Sequence, residues 1–234
     1  MNEKLYERLL ERWLALWNRI GAVGDAKVAF EEVIRCYGEQ HRRYHTLMHL
    51  DQCFREFDLV KHLLKDPDAV ELTIWFHNIV YVTDVRSIAV ENEQRSARKA
   101  WRFITHHVDW DAHKQSRIHN YILATQTHTN PPDSDCANFL DIDMSILGQP
   151  DLVFDAYEKG IRYEYKHVPW KKFAQIRKGF VAEWLEKANK NELFLTEFFN
   201  NKYNGQAKKN LERSLNKLST ASKKDARHRK RKQI

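Results

Sequence analysis

The sequence predicts an all-α protein. Two observations lead there. Only seven glycines and five prolines punctuate 234 residues, too few for a many-stranded sandwich or barrel and suited to long helices with short connections. Apolar residues also recur at three- and four-residue spacing, the repeat of a helix that buries one face. A chain of this length supports one substantial core. No interior linker or internal repeat divides it, so a single domain is expected from residue 3 to residue 218.

Leu5, Leu9, Leu10, Trp13, Leu16, Trp17 and Ile20 mark an amphipathic first helix that stops between Gly21 and Gly24. Asp25 is placed to cap a second, carrying Val28, Phe30, Val33, Ile34 and Tyr37 as far as Gly38. A third is expected to begin around Arg43 and to run through Leu47, Leu50, Phe54, Phe57 and Val60 to Leu64. After the break at Asp66-Pro67-Asp68, Ala69 to Val80 is apolar on most of its circumference, as a central helix covered on several sides should be. Further helices are expected over Ile88 to Thr105 and over Ile118 to His128, the latter stopped by Asn130-Pro131-Pro132. A short segment from Phe139 to Leu147 ends at Gly148, and Pro150 opens a helix through Phe154, Tyr157 and Ile161. Phe173 to Ala188 and Leu193 to Leu218 complete the count.

No apolar run reaches the roughly 18 to 20 residues of a membrane span, so no membrane span is expected and a cytoplasmic location is. Of the net charge of +7, +6 lies in residues 219–234, where seven lysines and arginines stand against Asp225. That stretch reads as a basic disordered tail, with nuclear import or loose contact with nucleic acid as its secondary reading. Nucleic acid is not otherwise an expected partner, and the seven tryptophans suit a core better than a base-stacking surface. Cys36, Cys53 and Cys136 are odd in number and unpaired in spacing, so they read as reduced structural thiols rather than a disulfide framework or a thiolate zinc site.

Chemistry concentrates in a few places. His45 and His49 stand four residues apart, which on one helix puts both rings on one face. His77 sits within an apolar helical run, and Asp141 and Asp143 lie amid hydrophobic residues. Histidine and carboxylate donors without thiolates suit a divalent ion of hard or borderline character: manganese, iron, zinc, magnesium or nickel. Such an ion in a helical bundle serves phosphoester hydrolysis, and the partner expected is a small phosphorylated substrate.

The order of these residues resembles the HD-domain metal-dependent phosphohydrolases, whose signature is a histidine, a His-Asp pair at a helix end and a distal aspartate. More narrowly, Arg42-x-Tyr44-His45-x3-His49, Trp75-Phe76-His77-Asn78-x2-Tyr81, Glu91-Asn92-Glu93-x2-Ser96-Ala97, Ala124-Thr125-x2-His128 and Leu140-Asp141-x-Asp143-x2-Ile146-Leu147-Gly148 are similar to a subgroup of predicted HD superfamily phosphohydrolases. The likeness extends through Glu164-Tyr165-x-His167-Val168-Pro169 and Asn210-Leu211. It implies an HD-domain-like helical bundle with His49, His77 and Asp143 as metal ligands, Asp141 being the fallback. The Tyr44-His45-x3-His49 segment also looks like that of cyclic-nucleotide phosphodiesterases, which implies a general-acid role for His45.

By the same resemblance, His128 would bind a second ion or a substrate phosphate, Glu93 would orient the attacking water, and Arg42 would steady a phosphate. Each has a plainer reading beside it: Glu93 suits a helix N-terminus, Arg42 a surface ion pair and His128 a loop carbonyl. Where the family has aspartate this chain has Asn78, a neutral fourth ligand at best, which weakens both ion affinity and the acidity of a bound water. The implied function is hydrolysis of a nucleotide or a pyrophosphate. The alternative is a catalytically silent HD-fold protein that binds a nucleotide or a partner.

Overall fold

The computed structural model describes residues 3–83 and 91–231, with side chains as far as residue 219. Among the described residues the protein is all-α, with no strand. The helices are α1 (Glu3–Arg19), α2 (Ala26–Tyr37), α3 (Leu47–Val60), α4 (Pro67–Phe76), α5 (Asn92–His107), α6 (Ala112–Ala124), α7 (Ser134–Met144), α8 (Asp151–Glu164), α9 (Trp170–Asn189) and α10 (Glu197–Arg231). Short 3-10 turns at Lys61–Leu63 and Ser145–Gly148 follow α3 and α7. None of these helices is long and apolar enough to cross a membrane. The chain divides into two compact units, residues 1–143 and 144–234.

In the first unit α4 is the central element, packed by α1, α3, α5 and α6. Every residue from Ala69 to Phe76 is buried, which explains why its sequence is apolar on most of its circumference. Trp75 anchors the core: Trp13 meets it edge-on with ring centroids 5.2 Å apart, and Phe54 lies 4.7 Å away. Tyr37 is fully covered yet satisfied, its hydroxyl donating to the Trp75 carbonyl at 3.0 Å. Burial pushes the Glu71 carboxyl up, and two guanidiniums of α1 offset that cost, Arg12 at 3.0 Å and Arg19 at 2.6 Å.

In the second unit α9 and α10 pack along each other, and α10 also covers the turn Ser145–Gly148. Asn210 of α10 donates to the carbonyls of Leu147 and Gln149 at 2.9 and 2.8 Å. Gly148 faces Tyr203 so closely that an added Cβ would overlap the tyrosine's own Cβ. Arg177 is buried against the Tyr157 hydroxyl at 2.7 Å and Glu158.

Several boundaries differ from the expected ones, each for a local reason. α3 begins at Leu47 and not near Arg43, because Thr46 is an extended N-cap whose hydroxyl accepts from the Met48 N–H at 3.3 Å. His45 therefore precedes the helix, and the two histidines do not share a helix face. α4 ends at Phe76, with His77 as its C-cap. α6 starts at Ala112, ahead of Ile118, because Asp111 caps the Lys114 N–H at 2.8 Å. It stops at Ala124, short of the left-handed backbone at His128 and Asn130, with φ of 51° and 52°. α7 starts at Ser134, earlier than Phe139, since Asp133 accepts from the Cys136 N–H at 2.8 Å. The expected helix start at 88–90 lies outside the described residues. The backbone of α10 continues to Arg231, past residue 218, while the side chains of the expected disordered tail lie outside the described residues from residue 220.

Candidate metal centre

Four donors converge in the first unit: one ligand atom each from His49, Cys53, His77 and Asp143, all within 4.8 Å of one another. Three different helices supply them. His49 and Cys53 stand one turn apart on α3, so their side chains leave the same buried face. His77 caps the C-terminus of the central helix, and Asp143 lies at the end of α7.

His77 and Asp143 are each aimed by a partner. His77 Nδ1 lies 2.8 Å from the Ile74 carbonyl, which makes Nδ1–H the donor and turns the Nε2 lone pair towards His49. The two Nε2 atoms are 3.0 Å apart. Asp143 Oδ2 takes a 2.8 Å hydrogen bond from His128 Nε2, and its Oδ1 faces His49 Nε2 at 3.3 Å and His77 Nε2 at 3.6 Å. Cys53 Sγ is 3.7 Å from His49 Nε2. Nitrogen or oxygen ligands at about 2.0–2.1 Å in a tetrahedron lie roughly 3.4 Å apart, and nitrogen to thiolate sulfur roughly 3.6 Å. The nitrogen and oxygen spacings fit a single divalent ion, while Sγ, also 3.8 Å from His49 Nδ1, lies beside the ring.

Electrostatics agrees with the geometry. Burial pushes His49 down to about 4, against the pull of the Asp143 carboxylate, so its ring is neutral at physiological pH. Burial also acts to raise Asp143, but the hydrogen bond from His128 and the His49 and His77 rings beside it outweigh that and hold the carboxyl well below the usual range. Burial and the neighbouring carboxylate push the Cys53 thiol up, so ion binding there releases a proton.

Other site residues expected from the sequence fall around this cluster. Asn78 reaches it, its side-chain nitrogen 3.4 Å from His49 Nε2. His45 packs beside it, stacked on Tyr81 with centroids 3.9 Å apart and 5.6 Å from the His49 ring. His128 holds Asp143 and is in that sense a positioning residue. Arg42 is placed differently. Its side chain is fully covered, and its guanidinium donates to the carbonyls of His45, Asn78 and Ile79 at 3.3, 2.6 and 3.1 Å as well as to Glu39. Those bonds occupy its donors and pin the loop that carries Asn78. Glu93 stands in the first turn of α5, half-buried, and neither it nor Asp141 is among the four converging donors. Asp141 lies on another face of α7, two residues from Asp143.

Sequence reasoning missed Cys53, although the His49-x3-Cys53 spacing carried the signal once α3 is a helix. It also assigned no role to three positioning residues. Asn92 bonds both the N–H and the carbonyl of Val82, at 2.9 and 3.1 Å. Ser96 does the same for Val80, at 3.1 and 3.3 Å. Asp135, fully buried, accepts the N–H groups of Lys65 and Asp66 at 2.9 and 2.8 Å, tying α7 to the start of α4. The chain matches no protein-family model, no curated protein and no solved structure.

Proposed function

We propose that the protein is a metal-dependent phosphohydrolase of HD-domain type, acting on a small phosphorylated metabolite such as a nucleotide or a pyrophosphate. The observation that carries this reading is the convergence of His49, His77 and Asp143, in the order and spacing on which the family resemblance rests. Bound there, a divalent ion would acidify a water and offset phosphoryl charge. His49 and His77 present ring nitrogen, Asp143 supplies the one carboxylate, and His128 keeps that carboxylate turned inward. His45, which stacks on Tyr81, would give a proton to the leaving oxygen. Arg42 serves by fixing the Asn78 loop rather than by touching phosphate.

A second reading is favoured by one specific observation: Cys53 is a fourth protein donor where catalytic centres leave a position open. On that reading the protein binds a nucleotide or a partner without turnover.

Elemental mass spectrometry of purified wild type, His49→Ala and His77→Ala, alongside a hydrolysis screen of nucleotides and pyrophosphates, tests the proposal. Near-stoichiometric transition metal and turnover in wild type, both lost in each variant, is the expected result, with His45→Ala keeping the metal and losing rate. Metal and activity unchanged in both alanine variants would refute it. A nucleotide that raises the melting temperature and is never hydrolysed would favour the second reading.

A further inference from the structure

We propose that Cys53 is a thiolate ligand of the ion held by His49, His77 and Asp143, which makes the centre a zinc-class site that excludes magnesium and manganese. The inference rests on the metal-holding part of the reading above and not on its chemistry.

Position is the first argument. Cys53 is 2 % exposed and His49 also 2 %, and the helical repeat brings Sγ to 3.7 Å from the His49 Nε2 that faces His77 and Asp143. Sγ also lies 3.8 Å from His49 Nδ1, so it stands beside the ring, and the Cys53 side chain must turn towards His77 and Asp143 for sulfur to take the fourth corner of a tetrahedron.

Charge is the second. Two neutral imidazoles and one carboxylate leave a divalent ion with one uncompensated positive charge in a buried setting, and Asn78, an amide, supplies none. Conversion of the Cys53 thiol to thiolate brings the assembly to neutrality. The negative charge missing at Asn78 is thus available from α3, one turn beyond His49.

Ligand chemistry is the third. A thiolate is a soft donor that favours zinc, cobalt(II) or ferrous ions, whereas magnesium and manganese take oxygen. Four protein donors also make a closed shell, so hydrolysis at this centre would require the ion to expand to five ligands.

The test uses the full chain stripped with chelator and titrated with cobalt(II) as the probe. Wild type and Cys36→Ser should bind close to one equivalent and show a near-ultraviolet thiolate-to-cobalt charge-transfer band with strong visible bands of a tetrahedral ion. Cys53→Ser should lose the charge-transfer band and bind at least about tenfold more weakly. Zinc should abolish the wild-type spectrum stoichiometrically, and excess magnesium should leave it intact. Cobalt bound by wild type without the band, the band kept in Cys53→Ser, or no cobalt bound at all would each overturn the proposal. If Cys53→Ser does not fold, the wild-type spectrum alone decides. Hydrolysis assayed in parallel separates the two claims. The band without turnover sustains the thiolate and refutes the hydrolase, and magnesium-supported turnover without the band does the reverse.

Discussion

Replacing Arg42 by alanine should destabilise the protein severely and leave no phosphate-binding defect of its own. The guanidinium is fully covered and donates to three backbone carbonyls, those of His45, Asn78 and Ile79, at 3.3, 2.6 and 3.1 Å. Hydrogen bonds from a charged donor contribute roughly 1.5–3 kcal/mol each. Taking the low end for the two shorter bonds and less for the longest gives a loss of about 3–4 kcal/mol. The cation also sits over Tyr37 and Tyr81, 5.2 and 5.7 Å from their ring centroids, and that packing goes too. Glu39 is 46 % exposed in its side chain and re-enters water cheaply, so Glu39→Gln should cost no more than about 1 kcal/mol. Arg42→Lys should recover little, because one ammonium cannot span three carbonyls. Urea unfolding followed by circular dichroism checks the series, against a typical domain stability of about 5–15 kcal/mol. A loss below about 1 kcal/mol for Arg42→Ala, accompanied by weaker binding of a phosphorylated ligand, would refute the assignment and return Arg42 to the substrate.

Four further outcomes are expected. His128 has a φ of 51°, so His128→Gly removes the imidazole without backbone strain. Chelator competition should then show an ion affinity about 10–100-fold lower, and an unchanged affinity would mean that Asp143 is held without it. Asp135→Ala removes the fully buried carboxylate that accepts from the N–H groups of Lys65 and Asp66, and should cost about 2–4 kcal/mol in urea unfolding, with Asp135→Asn losing roughly half as much; equal losses would contradict this. For Asp133, burial acts to raise the carboxyl, but donation from the Tyr121 hydroxyl and the Cys136 N–H, with Arg117 nearby, lowers it. Its stabilisation is therefore present above the unfolded value of about 3.9 and lost as pH falls through the folded one. Asp133→Asn should cost about 1 kcal/mol at neutral pH, and the gap to wild type should close in acid. A gap that persists below about pH 2 would show that charge is not its source. In the second unit, Gly148→Ala must displace Tyr203 and should cost about 1–3 kcal/mol, read as a lower melting temperature.

Much of this protein was decided by local sequence. The spacing of apolar residues and the scarcity of glycine and proline determine an all-α chain, and the stretch from Ala69 to Phe76, apolar except for Glu71 and Thr73, marks the helix that others surround, because a helix covered on all sides has little polar face to show. His49, His77 and Asp143 were recognisable as a set by their order. Helix starts were less legible. Thr46, Asp111 and Asp133 set them through single side-chain to backbone bonds that the apolar period does not reveal, and this is why His45 lies ahead of α3 instead of on it. Only the tertiary structure decided what each polar residue near the centre touches. Arg42 turns from solvent to three carbonyls because the chain must satisfy the buried loop at 78–79, and His128 reaches Asp143 across fifteen residues of sequence. Cys53 joins the cluster because the end of α4 and the end of α7 both meet α3 at the turn that carries it. Such contacts depend on how helices cross, which no spacing within one helix specifies.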